Sequence, residues 1–141
     1  MKTTITLFSL LACFSLFIPV QAKSPAAPDS YVYIISPQDG EIVHSPVLVK
    51  FGLRGMGIAP AGVESENTGH HHLLIDVEKL PDLDKPIPAD DHHVHFGKGQ
   101  TEALIELSPG AHTLQLLLGD FSHIPHDTAI TSEKITIKVV E

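Results

Sequence analysis

Three groups of histidines in this chain are spaced as metal ligands could be. His70 and His72 stand two apart in "TGHHHLLID", His93 and His95 two apart in "DHHVHF", and His123 and His126 three apart in "SHIPH". Residues two apart on a strand share a face, so each His-x-His pair can turn two imidazoles toward one ion. Neutral imidazole suits zinc and copper(II), and zinc takes its nitrogens at about 2.0–2.1 Å, usually with four ligands in all. The ligands expected from this spacing are His70, His72, His95, His123 and His126. Asp76, on the parity of His70 and His72, and Asp120, beside the last group, are expected to accept hydrogen bonds that fix a ring's tautomer.

Two histidines read differently. His71 has the parity of Leu73, Ile75 and Val77, so it is expected to point into the core and stand behind the ligands. His112 follows Pro109-Gly110 on the parity of Leu114, Leu116 and Leu118, which suits a ring that braces a turn by hydrogen bonds. Gly110 and Gly119 read as turn formers.

Short apolar runs separated by turn signals must position these side chains. Seven strands are predicted, at 31–35, 47–53, 71–77, 94–96, 102–107, 112–118 and 134–140. Strong breakers lie between them, such as Ser36-Pro37-Gln38-Asp39-Gly40 and Ser108-Pro109-Gly110. No helical period persists, so the expected fold is all-β, an immunoglobulin-like antiparallel β-sandwich. In that topology the connections before the third strand, after the fourth and after the sixth meet at one end. His70 to His72, His95 and the segment from Asp120 to His126 would converge there.

Composition narrows the function further. Acidic residues number 17 against nine lysines and arginines, for a net charge of −8, while histidine alone contributes ten. No basic stripe appears, so nucleic acid and anionic membranes are poor partners. Tryptophan is absent, which argues against a stacking platform. There is no Gly-x-Ser-x-Gly and no His-Glu-x-x-His, so an enzyme is the weaker expectation. A metal-bound water would need three histidines and an open coordination position.

Lys2 followed by the apolar run Thr6 to Val20 and the small residue Ala22 has the layout of a secretory signal peptide. The expected organisation is a signal peptide over 1–22, a flexible lead-in over 23–30 and the sandwich over 31–141, giving a periplasmic or secreted domain with no membrane span of its own. Phe14 to Val20 continues the apolar run past Cys13, unlike a lipoprotein cleavage box. Beyond Cys13 there is no cysteine, so disulfides and thiolate metal sites are excluded from the expected mature part.

The stretches "SPQDGEIVHSPVLVKFGLRGMGIAPAG", "TGHHHLLID", "HFGKGQTEALIELSPGAHTLQLLLGD", "HIPH" and "SEKITIKVV" resemble a bacterial family, the domain of unknown function 4399. The resemblance runs from about Ser36 to Val140. It implies an exported small domain whose motif histidines are His70, His71, His72, His95, His112, His123 and His126. It implies no activity. Where the family often has a proline pair after the last histidine, this chain has Asp127-Thr128-Ala129.

Two functions fit these residues. One is an accessory or binding domain with a histidine-lined site for a divalent ion, zinc or copper(II). The other is a non-enzymatic module that meets a periplasmic protein through a histidine-rich rim, which would charge in acid because free imidazole titrates at about pH 6.5.

Overall fold

The computed structural model describes residues 22–141, and the apolar run expected to be a signal peptide and Cys13 lie outside them. Nine strands follow in order: β1 (Tyr31–Ser36), β2 (Ile42–His44), β3 (Val47–Arg54), β4 (Gly57–Ile58), β5 (Thr68–Ile75), β6 (His93–His95), β7 (Glu102–Ile105), β8 (Gly110–Gly119) and β9 (Ile135–Val140). The described residues contain no helix. One sheet has the order β1-β3-β7; the other runs β2-β9-β8-β5-β4, with β6 also paired to β5. The main ladders are antiparallel, and the two sheets form the expected β-sandwich.

The seven predicted strands are all present. The two additions, β2 and β4, are short and pair in parallel with β9 and β5. β2 forms where the chain leaves the small sheet after Ser36-Pro37 and crosses to the edge of the large one. Its run joins β9 as Lys138 N–H donates to the Glu41 carbonyl at 2.9 Å.

Between the sheets lies a core of Val32, Val47, Val49 and Phe51 from one side and Leu73, Ile75, Leu114, Leu116, Leu118, Ile137 and Val139 from the other. Alternation along β1, β3 and β9 supplies it, as expected for strands with one solvated face. Strands β5 and β8 behave otherwise. Leu74 and Leu117 face away from that core yet are also buried, in a second cluster with Ile87. The reason is a roof over the outer face of the large sheet. The β5–β6 and β8–β9 connections cross it and are joined where Ile87 N–H donates to the His123 carbonyl at 2.9 Å. A sheet covered on both faces needs no polar alternation, which accounts for "HHHLLI" and "LLL" as unbroken runs.

The third predicted strand ends earlier than expected, and the cause is local. Asp76 adopts a left-handed backbone with φ of 56°, so the alternation stops and Val77 packs on the second cluster instead of the main core. From this turn the Asp76 carboxylate accepts Thr113 N–H at 2.8 Å and the His112 Nδ1–H at 2.7 Å. Asp76 therefore does not orient a ring in the histidine group, correcting the expectation drawn from parity. His112 does brace the turn, because its Nε2–H donates to the Ser108 carbonyl at 2.8 Å.

Both nitrogens of His112 thus face acceptors, and only the imidazolium satisfies both. Burial alone would lower its pKa, but the hydrogen bonds to Asp76 and Ser108 and the charge of Asp76 raise it above 6.5. For Asp76, burial pushes upward, while the bonds from Thr113 and His112 hold it below its ordinary 3.8. Stability from His112 is whole below its unfolded value and is lost as pH rises through its raised folded value. Stability from Asp76 is lost only as pH falls through its depressed value. The pair should stabilise most between about pH 4 and 6.5. Chemical denaturation of the protein and of His112→Gln across pH 4.5 to 8.5 should show a stability gap that narrows as pH rises; a gap independent of pH would refute the charged pair.

Candidate metal centre

Four imidazoles meet beneath the roof. His70 and His72 come from one face of β5 and are fully buried. His95, on β6, is the direct cross-strand partner of His72. Opposed residues have Cβ atoms about 5 Å apart, so this register alone stacks one ring on the other. The His72–His95 ring centroids lie 5.0 Å apart with planes 28° from parallel. His123 arrives from the β8–β9 connection.

The six centroid separations are 4.8 Å for His70–His72, 5.0 Å for His70–His95, 5.1 Å for His70–His123, 5.0 Å for His72–His95, 4.8 Å for His95–His123 and 6.2 Å for His72–His123. With a metal–nitrogen bond of about 2.1 Å, a ring centroid lies about 3.2 Å from the ion, and four such rings on a tetrahedron stand about 5.2 Å apart. Five separations fall close to that value; His123 is drawn back from His72. One nitrogen from each of His70, His72 and His95 lies within 4.8 Å of the others, so these three could hold a metal ion.

Neither ring nitrogen of His70 or of His72 has a hydrogen-bond partner, though all four are buried. A buried polar atom without a partner costs about 1–3 kcal/mol. Coordination of an ion is one way such nitrogens are satisfied, so the donor set fits a metal. Burial, and then the proximity of His123 and His95, lowers the His70 pKa to about 4. Burial and the neighbouring rings of His70, His95 and His123 bring His72 to about 3. Burial and His123 also lower His95. His70, His72 and His95 are therefore neutral near pH 7, the form that binds metals.

His123 is placed by a built turn. One oxygen of Asp120 accepts Ser122 N–H and Ser122 Oγ–H at 2.8 Å and Ile124 N–H at 3.0 Å. Its other oxygen accepts Ser24 Oγ–H at 2.8 Å. His123 takes the left-handed conformation, φ 70°, at the apex. Burial alone would raise the Asp120 pKa, and these hydrogen bonds hold it below 3.8 instead. Asp120 does not fix a ring's tautomer, contrary to expectation: its carboxylate holds the backbone of the turn that carries His123, and its hydrogen bonds reach no ring nitrogen.

Two expectations need correction. His126 is buried but does not join the four rings. The hairpin in which Asp120 N–H donates to the Ile124 carbonyl turns the chain back, and His126 lands beside Thr68, with Nε2 3.1 Å from its carbonyl oxygen. His71 does point into the core, where its ring packs 5.2 Å from Phe51 and neither nitrogen has a hydrogen-bond partner, but it does not stand behind the ligands. It lies on the opposite face of β5 from the four rings. His70 and His72 are 0% exposed, so no partner surface could touch these two, whereas His95 is exposed and His123 half-buried.

Two glycines make room for the cluster, and turn chemistry alone would not have found them. A Cβ on Gly119 would stand 2.8 Å from His72 Cε1, and one on Gly97 would overlap the His95 ring. The available signal was position: Gly119 lies opposite His70 across the sheet and Gly97 two residues after His95.

A β-sandwich with a part-buried histidine cluster, three members of which could hold a metal ion, is the class that fold and site define. The chain belongs to the family described as domain of unknown function (DUF4399), whose model matches residues 49–140, a span that includes all four clustered histidines. No curated protein and no solved structure matches it.

Gly97→Ala should displace His95 while leaving the β5–β8 ladder in place. Supporting groups around metal ligands are commonly worth about 10- to 100-fold in affinity, and a loss of that order is expected for zinc, measured by competition with a chromophoric chelator. Unchanged affinity in a folded Gly97→Ala protein would contradict this placement.

Proposed function

We propose that this protein is a periplasmic or secreted accessory domain that binds one divalent metal ion through His70, His72, His95 and His123. The observation that carries the reading is the near-tetrahedral grouping of four imidazoles, two of them buried with both nitrogens unpartnered. An all-nitrogen set suits zinc and copper(II). Geometry favours zinc. A square-planar copper(II) arrangement would need two long diagonals of about 6.4 Å between ring centres, at a bond length near 2.1 Å. Here one separation, 6.2 Å, is long and its counterpart across the set, His70–His95, is 5.0 Å.

Four protein ligands would complete the coordination of zinc, which is the pattern of a binding or structural site more than a catalytic one. The ion would bridge β5, β6 and the β8–β9 connection. Binding would therefore fasten the roof to the sheet and raise stability with ion concentration.

Metal analysis of protein prepared without a histidine tag, followed by calorimetric titration with zinc and copper(II), tests the reading. One equivalent of zinc should bind saturably, and at a free ion concentration 100 times Kd the fold should gain about 2.7 kcal/mol. His72→Ala should abolish the tight equivalent. Sub-stoichiometric metal with weak, non-saturating titrations would overturn the proposal.

A further inference from the structure

The small sheet turns its outer face to solvent, and much of that face is apolar. Of the eight exposed large apolar side chains among the described residues, five stand on it: Tyr31, Tyr33 and Ile35 on β1, Leu48 on β3 and Leu104 on β7. Their exposure runs from 42% for Tyr33 and Leu48 to 65% for Leu104. Strand register gathers them, for Leu48 is opposite Leu104 and Tyr33 is opposite Gly52. A Cβ on Gly52 would overlap the Tyr33 ring, so the glycine lets that ring lie across β3. The Tyr31 and Tyr33 ring centroids are 5.6 Å apart. Single exposed apolar residues are ordinary, whereas a contiguous apolar face marks a site of interaction.

The charges on the face decide what fits it. Lys50 and Arg54 on β3 are basic, while Glu102 on β7 and Glu106 just beyond it are acidic. They balance to zero on a chain of net charge −8, so two copies meeting here bring no net charge together. Among the described residues none of the four forms an ion pair within the chain, and the Arg54 guanidinium stands 6.0 Å from the centre of the Tyr31 ring. Arg54 lies at the end of β3 that pairs with Tyr31; Glu106 lies at the other end, after Ile105, the partner of Val47. At a strand rise near 3.3 Å per residue, the two charges stand roughly 25 Å apart. A two-fold axis across the strands, in the plane of contact, lays each copy's Arg54 end over the other copy's Glu106 end. The same rotation brings the tyrosine end of one copy onto the Leu48 end of the other. Face-to-face sheets pack about 10 Å apart, a gap that arginine and glutamate side chains can bridge.

We propose that the protein forms a symmetric dimer through the outer face of the small sheet. Tyr31, Tyr33, Leu48 and Leu104 of each copy pack against the other, and Arg54 of each pairs with Glu106 of the second copy. The contact is isologous, so the charge pair is made twice and association closes at two copies. The proposal stands apart from the metal reading, because the four imidazoles gather over the outer face of the large sheet, on the far side of the core.

Sedimentation equilibrium from micromolar to millimolar protein, with EDTA present so that no metal joins two chains, is the test. A reversible monomer–dimer equilibrium is expected, without larger species. Leu104→Glu changes an exposed side chain and should weaken the dimer about 30-fold or more, the effect of losing a central contact. Arg54→Glu sets like charges together and should weaken it about tenfold or more. Adding Glu106→Arg to the same chain should restore the dimer. Lys138→Glu makes the same change of net charge on β9, in the large sheet, and should leave association unchanged. A monomer throughout the range, a dimer that requires metal, unaltered association in Leu104→Glu, equal weakening by Arg54→Glu and Lys138→Glu, or no recovery on charge exchange would each overturn the proposal.

Discussion

The outer face of the large sheet is buried, and imidazoles are part of what fills it. Most antiparallel sandwiches solvate that face and keep polar side chains there at little cost. Here Leu74 and Leu117 form a small apolar cluster at one part of the face, and His70 and His72 occupy the next. Burying four ring nitrogens with no protein partner is costly, and the rest of the site follows from making it tolerable. The roof closes over them through the Ile87–His123 hydrogen bond, Asp120 builds the turn that lowers His123 into place, and Gly97 and Gly119 clear the space.

The two ends of β5 treat histidine in opposite ways. At the start of the strand, burial and neighbouring rings drive His70 and His72 toward the neutral form. Beyond its end, a carboxylate and a carbonyl flank His112 and favour the cation. One strand thus separates a set of lone pairs, suited to an ion, from a charged pair that holds a turn. The difference lies in what surrounds each ring: other imidazoles and apolar side chains in one case, oxygen acceptors in the other.

Much of the scaffold was legible before folding. Alternation in β1, β3 and β9 and the breakers between strands marked a sandwich, because strands with one wet face carry a period of two. Parity correctly separated His71 from His70 and His72. The same parity failed at Asp76 and Val77, since a left-handed residue ends the alternation and no local pattern announces it. Nor did it show that the outer face of β5 is covered. That face is covered by the connections 81–92 and 120–134, and coverage by distant segments leaves no mark in a strand's own period. Spacing likewise grouped His123 with His126, which a tight hairpin then sends in different directions.

The sequence by itself determined the strands, the turns and the types of donor atom, because these depend on neighbours within a few residues. Which imidazoles meet was decided only by tertiary structure. His95 faces His72 through strand register, and His123 reaches both through a loop held by Asp120 and Ser24. Coordination depends on separations of a few ångströms between atoms far apart along the chain, and those separations exist only once the two sheets and their roof have packed.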